Sequence, residues 1–154
     1  MSVPTVVDAA IIYRVTGSNP VTRTVICGIE NVTINETVNT RDRTLRDCAK
    51  PGAVPGRSVI VNNHQVDVTG SGVSNADDIA ARRALLGIHA NYSIDLIRRD
   101  GTDAGDLLGT YAGQGVMTAS NLNLSSENDG GAEITIAGEG TWTYTPDSTP
   151  GASA

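Results

Sequence analysis

Two histidines, His64 and His89, are the natural starting point for chemistry in this chain, because imidazole is the side chain that ordinarily titrates near neutral pH. Serines and aspartates are plentiful, so a nucleophilic triad is the first arrangement to weigh. No G-x-S-x-G elbow accompanies them, and Gly70-Ser71-Gly72 reads as a strand-to-helix turn. His64 falls inside a strand. His89 falls at the end of a helix, where the dipole favours a cation, so both read as structural. Asp100, Asp103 and Asp106 form a D-x-x-D-x-x-D run that resembles a calcium loop. The EF-hand spacing is not met and no closing Glu follows, so a polar hairpin turn is the simpler reading. Cys27 and Cys48 belong to no Cys/His cluster, which argues against zinc. One disulfide is arithmetically possible, but two unrelated thiols in a reducing compartment are the plainer expectation. Neither GxxxxGK[ST] nor GxGxxG occurs in a strand-to-helix setting, and no carboxylate pair stands out for acid–base work. The expectation is a protein with no catalytic residues, no cofactor and no metal.

Composition limits what could position such groups. The chain has 154 residues, 3% aromatic, with no Phe and one Trp, so Val, Ile, Leu and Ala must fill a single core. A thin aliphatic core implies modest stability for a lone subunit, and neighbours in an assembly could supply further burial. Seventeen glycines, with many Thr, Ser and Asn, point to strands and turns. The formal charge of −6 makes tight binding to nucleic-acid phosphates a poor expectation. It suits a passage through which nucleic acid slides without sticking, or ordinary solubility. MSVPTVVDAA has neither a basic region nor a long apolar run, so no signal peptide is read. No stretch approaches the ~20 apolar residues of a membrane-spanning helix. Synthesis in a cytoplasm, with no membrane partner, is expected.

The elements follow from periodicity. A β-leaning run covers residues 3–16 and ends at Gly17-Ser18-Asn19-Pro20. The next spans about Val21 to Val38, with Val32, Ile34 and Val38 on one face and Thr33, Asn35 and Thr37 on the other. Glu36 falls on the apolar side. Asn39 to Arg57 reads as a long loop without secondary structure of its own. Five of the eleven basic residues lie in it, Arg41, Arg43, Arg46, Lys50 and Arg57, beside Asp42 and Asp47. Such loops are either functional or solvated and mobile, and the alternating charge suits contact with another charged surface. A strand at Ser58–Thr69 leads through Gly-Ser-Gly into a helix from about Asn75 to His89, with Asp77 and Asp78 in its first turn. Strands follow at 91–98, 107–124 (bent at Gly113 and Gly115) and 132–145, with a hairpin turn at 128–131. The fold class expected is α+β: antiparallel sheets in a β-sandwich or barrel-like arrangement, one flanking α-helix, and a long β-hairpin loop. Residues 1–146 form a single domain and 147–154 a flexible C-terminal tail.

Three strings carry a family resemblance: VTINETVNT (Val32–Thr40) before the long loop, VDVTGSGVSN (Val66–Asn75) entering ADDIAARRALLG, and ITIAGEGTWTYTP (Ile134–Pro146). They resemble the major tail tube proteins of long, non-contractile-tailed bacteriophages and gene transfer agents, over about residues 22 to 146. The resemblance implies a structural virion protein, made in the host cytoplasm, whose copies form hexameric rings that stack head to tail into a tail tube. Double-stranded DNA would pass through the lumen without specific binding. Partners would be the chain itself and tape-measure, tail-tip and tail-terminator proteins. The loop residues Arg41, Asp42, Arg43, Arg46, Asp47, Lys50 and Arg57 would reach the neighbouring ring. Asp67, Glu133 and Glu139 would face the lumen, an assignment that a one-residue register slip would reverse. The alternatives are a small β-sandwich binding carbohydrate or protein through Trp142 and Tyr144, and a small hydrolase using His64.

Overall fold

The computed structural model describes residues 6–17, 21–26, 28–127 and 130–147. The elements run β1 (Ala9–Thr16), β2 (Thr22–Val25), β3 (Ile29–Leu45), β4 (Gly56–Val73), α1 (Ala76–Leu85), β5 (His89–Arg98), β6 (Asp106–Asn123) and β7 (Gly131–Pro146). Cys27, residues 18–20 and 128–129 where turns are expected, and residues 1–5 and 148–154 lie outside the described residues, and with them most of the expected tail.

All seven strands join one antiparallel sheet in the order β2-β1-β5-β6-β7-β4-β3. Of the sandwich and barrel-like arrangements expected, the structure has a single sheet that curls until β1 lies over the base of β3 and β4. A Cβ added at Gly70 on β4 would stand 3.5 Å from Ile12 Cδ1 on β1. The inner face is the aliphatic core that the composition demanded: Ile12, Val68, Ile94, Met117, Ile134 and Ile136 are each 1% exposed or less. Tyr92 is the one aromatic buried to the same degree. Alternation along β4, β5 and β7 is as the sequence predicts, because each of these strands has one face on that core.

Four expectations change. The run 21–38 is two strands, interrupted before Ile29 at Gly28, whose φ of 82° suits glycine. The loop 39–57 is about half strand: β3 continues to Leu45 and β4 begins at Gly56, with Thr40–Leu45 paired to Gly56–Val61 and a loop only at 46–55. The helix ends at Leu85 rather than near His89. Leu86 is already extended and bridges Met117, and Gly87 N–H donates to the Met117 carbonyl at 2.9 Å. His89 is thus the first residue of β5. Finally, β6 slips register at Gly113 and again between Met117 and Ala119, not at Gly115. α1 itself starts as expected: Asn75 Oδ1 accepts the Asp77 N–H at 3.0 Å, with Asp77 and Asp78 in the first turn.

Candidate assembly surfaces

Past Glu36 and Val66, β3 and β4 leave the rest of the sheet together. β7 pairs with β4 only as far as Asp67↔Ala137 and then continues against β6 alone. From Thr37 to Leu45 the ladder runs on for about 30 Å as a two-stranded arm. Of its strand residues only Ile60 is half-buried; the others are exposed. An isolated hairpin is marginal in water, and this one is held by polar pairs. Asn39 Nδ2 donates to Asn63 Oδ1 at 2.6 Å, and Arg57 Nη2 donates to Asp42 Oδ1 at 2.9 Å. At the tip, Asp47 Oδ1 accepts the Ala49 N–H and Arg46 Nη2 donates to the Pro51 carbonyl.

Register sorts the expected contact residues. Arg41 pairs Ile60 and Arg43 pairs Ser58, so both arginines share one face. Asp42 pairs Val59 on the other, joined by Arg57. Arg46, Asp47 and Lys50 sit at the exposed tip, as does Cys48. Val38, Leu45, Val54, Val59 and Val61 are all 45% exposed or more along the same arm. An exposed apolar series on a projection with no core of its own marks an interaction surface. β3 also forms one edge of the sheet over its 17 residues, the kind of edge that pairs or packs against another chain.

The three acidic candidates come together on the outer face. Asp67, Thr69 and Ser71 of β4 align with Ala137, Thr135 and Glu133 of β7 and with Asn35, Thr33 and Asn31 of β3. Glu139 follows Glu133 by six residues on the same side. Neither lysine nor arginine occurs at these positions. Gln65 Nε2 donates to Asp67 Oδ2 at 2.6 Å, and Glu139 pairs with His89 across the sheet. Glu36, out of place on the apolar face, sits where the core ends. The Tyr111 pKa is raised by burial first, then by the charge of Glu36 and a hydrogen bond to it.

The residues weighed for chemistry are dispersed. His64 is exposed, pairs Val38 in the arm, and among the described residues no hydrogen bond links it to a serine or aspartate. The Asp100 carboxylate accepts from the Thr102 side chain and N–H, which lowers its pKa, and Asp106 pairs with Arg98 at 2.6 Å. Among the described residues no three His, Cys, Asp or Glu side chains gather as a metal site. Trp142 is half-buried, whereas Tyr144 is 47% exposed. The Trp142 indole N–H donates to the Gln114 carbonyl at 3.0 Å, and a Cβ added at Gly113 or Gly138 would run into its ring. Tyr144 packs on Tyr111 with centroids 4.9 Å apart. Trp142→Ala is therefore expected to lower stability by about 3 kcal/mol, read from the urea midpoint; an unchanged midpoint would return Trp142 to the role of a free binding surface.

Sequence reasoning missed Arg82. The residue is 1% exposed, at the junction of α1 and the β1–β2 end of the sheet. The only signal was an arginine breaking the apolar stripe of a helix.

No family model matches the sequence, and no curated protein matches it. Solved structures do match in fold. A chain from the tail of an empty gene transfer agent particle, determined with C6 symmetry, is 17% identical with a TM-score of 0.59, covering 88% of this chain and 94% of that one. A chain from the sheath–tube complex of PVC, an extracellular contractile injection system in its extended state, is 15% identical with a TM-score of 0.62, covering 94% and 93%. A chain from the tube-terminating cap of the anti-feeding prophage is 12% identical with a TM-score of 0.61, covering 96% and 95%. The chain thus shares its overall fold with chains from tail and tube assemblies, over nearly the full length of each.

Proposed function

We propose that this chain is a structural tail tube subunit, without catalytic activity, whose copies close into hexameric rings and stack into a conduit for double-stranded DNA. Residues 1–146 are the tube domain and 147–154 a tail. The observation that carries the reading is the β3–β4 arm: about 30 Å of exposed hairpin with five exposed apolar side chains has no use within one subunit. The fold of tail and tube chains supports the same assignment. Strand edges would join around the ring, which removes them from solvent. The arm would lie on the adjacent ring, with Arg41, Arg43, Arg46, Asp47 and Lys50 at the contact, while Asp42 and Arg57 brace its stem.

The outer face with Asp67, Glu133 and Glu139 would line the lumen. Around Asp67, Glu133 and Glu139 this face is Asn, Thr and Ser without Lys or Arg, which disfavours phosphate binding, so DNA slides. The protein would reside in the virion tail, after synthesis in the host cytoplasm, with tape-measure, tail-tip and terminator proteins as partners. We assign the tail to the long, non-contractile kind; a sheath protein wrapped around the native tubes would overturn that part.

The test is negative-stain electron microscopy of the purified chain across a concentration series, with and without tail-tip complexes as seeds. Rings or tubes are expected. Monomers at every concentration, seeded or not, would end the tube reading.

A further inference from the structure

Between α1 and the β1–β2 end of the sheet lies a pocket of about 100 Å³, lined among others by Arg14, Thr16, Thr24, Asp78, Arg82 and Leu85. Arg82 is 1% exposed, and its Nε, Nη1 and Nη2 all lack a hydrogen-bond partner. Arg14 Nε and the Tyr92 hydroxyl are likewise buried without one, and these two residues are direct cross-strand neighbours. The Arg14 charge acts on Tyr92, opposing the rise in its pKa that burial causes. Against these five donor atoms stands a single orphaned acceptor, Asp78 Oδ2.

A guanidinium cannot shed its charge, and an uncompensated buried ion costs several kcal/mol. Asp78 can balance one of the two arginines, of which Arg82 is fully buried and Arg14 half-buried with its Nε enclosed. What the cluster lacks, in both charge and hydrogen bonding, is an anion rich in acceptors and small enough for the pocket. A carboxylate meets all three requirements and binds guanidinium through paired N–H···O bonds.

We propose that this pocket is a carboxylate site, filled in the assembled protein by an acidic side chain from a second copy of this chain. This rests on the tube reading above. The chain is rich in acid, with 17 Asp and Glu against 11 Lys and Arg. The pocket lies beside the start of β5, while the β5–β6 turn lies past its other end. That turn presents Asp103, exposed and with no hydrogen bond or ion pair among the described residues. Head-to-tail stacking brings opposite ends of a subunit together, which makes Asp103 the donor.

The full chain, Arg82→Met, Arg14→Gln and Asp103→Asn are compared for the concentration at which tubes form, by sedimentation and electron microscopy. Thermal unfolding of the unassembled proteins is recorded in acetate and in chloride at matched ionic strength. All three variants should need at least about tenfold more protein to assemble, the loss expected for one charge-assisted contact. Unassembled Arg82→Met should melt no lower than the parent, since an unpaired buried charge has been removed. Acetate should raise the melting temperature of the parent and not that of Arg82→Met. If Arg82→Met does not fold, Arg14→Gln carries both readouts. Normal assembly of the arginine variants overturns the proposal: with acetate protection the pocket takes a free anion, and without it water alone. Normal assembly of Asp103→Asn overturns that donor. Absence of tubes from the parent chain refutes the tube reading and the second-copy donor with it, and the acetate arm still decides whether the pocket binds anions.

Discussion

Replacing residues 41–60 with Asn-Gly is expected to give a subunit that folds as well as the parent and does not polymerise at parental concentrations. Thr40 and Val61 are directly paired, so a two-residue loop can close the shortened hairpin, and Asn-Gly is the sequence that a type I′ turn prefers. The removed segment contributes no residue to the core cluster, and a shorter loop costs less to close. The urea midpoint should therefore move by no more than the equivalent of about 1 kcal/mol. Assembly is another matter. If each arm supplies about 3 kcal/mol of inter-ring contact, its loss raises the concentration needed for tubes by roughly a hundredfold. Tubes forming from the shortened chain at the parental concentration would remove the arm from the assembly mechanism. A lowered urea midpoint would instead place it in the fold.

The same arm shows where sequence stopped being informative. Strands β4, β5 and β7 were legible because each packs one face on the core, which forces apolar residues to every second position. Beyond Glu36 and Val66 the strands of the arm have no core beneath them. Nothing selects for alternation there, so Arg41-Asp42-Arg43 reads as loop although its backbone is paired. The tip kept its Gly and Pro punctuation, and that part of the loop was placed correctly. The acidic trio shared a face as alternation required, since register had a buried partner face to fix it. Arg82 was hidden for a different reason. A helical pattern shows which residue breaks the apolar stripe, but not that Arg14, Asp78 and Arg82 meet beside Val25, Ile26 and Leu85 in a pocket at the sheet end. The aromatic residues of β7 could not be assigned from spacing either. Gly113 lies under the Trp142 ring, and Gly138 is crowded first by the Val66 carbonyl and then by the indole nitrogen, relations between strand positions that spacing alone does not show.

Gly72 makes the largest claim on a single atom. Gly70-Ser71-Gly72 reads as the end of a strand, yet β4 runs through it to Val73. Its glycines answer to a neighbour. Gly72 pairs Ile29 at the first rung of the β3–β4 ladder, where the register slips before Asn31. The backbones close up at this bulge, and Val73 N–H donates to the Gly28 carbonyl at 2.9 Å. A Cβ on Gly72 would overlap that carbonyl oxygen and stand 2.8 Å from Glu30 N. Both obstacles are backbone, so no rotamer change relieves them, and the chain must pull β3 away from β4 at its root. Gly72→Ala is expected to cost about 3 kcal/mol or more, which for a chain of this size lowers the melting temperature by roughly 10 °C. Gly52→Ala and Gly56→Ala are the controls. A Cβ at either meets nothing within 4 Å, and both changes should leave stability within about 0.5 kcal/mol of the parent. Thermal unfolding of the three variants separates the outcomes. A Gly72→Ala protein that melts with its controls would mean that β3 is not seated on β4 at this rung, and that the arm is rooted differently from the structure described. A large loss confined to Gly72 would tie the geometry of the arm to the one place where the two strands first meet.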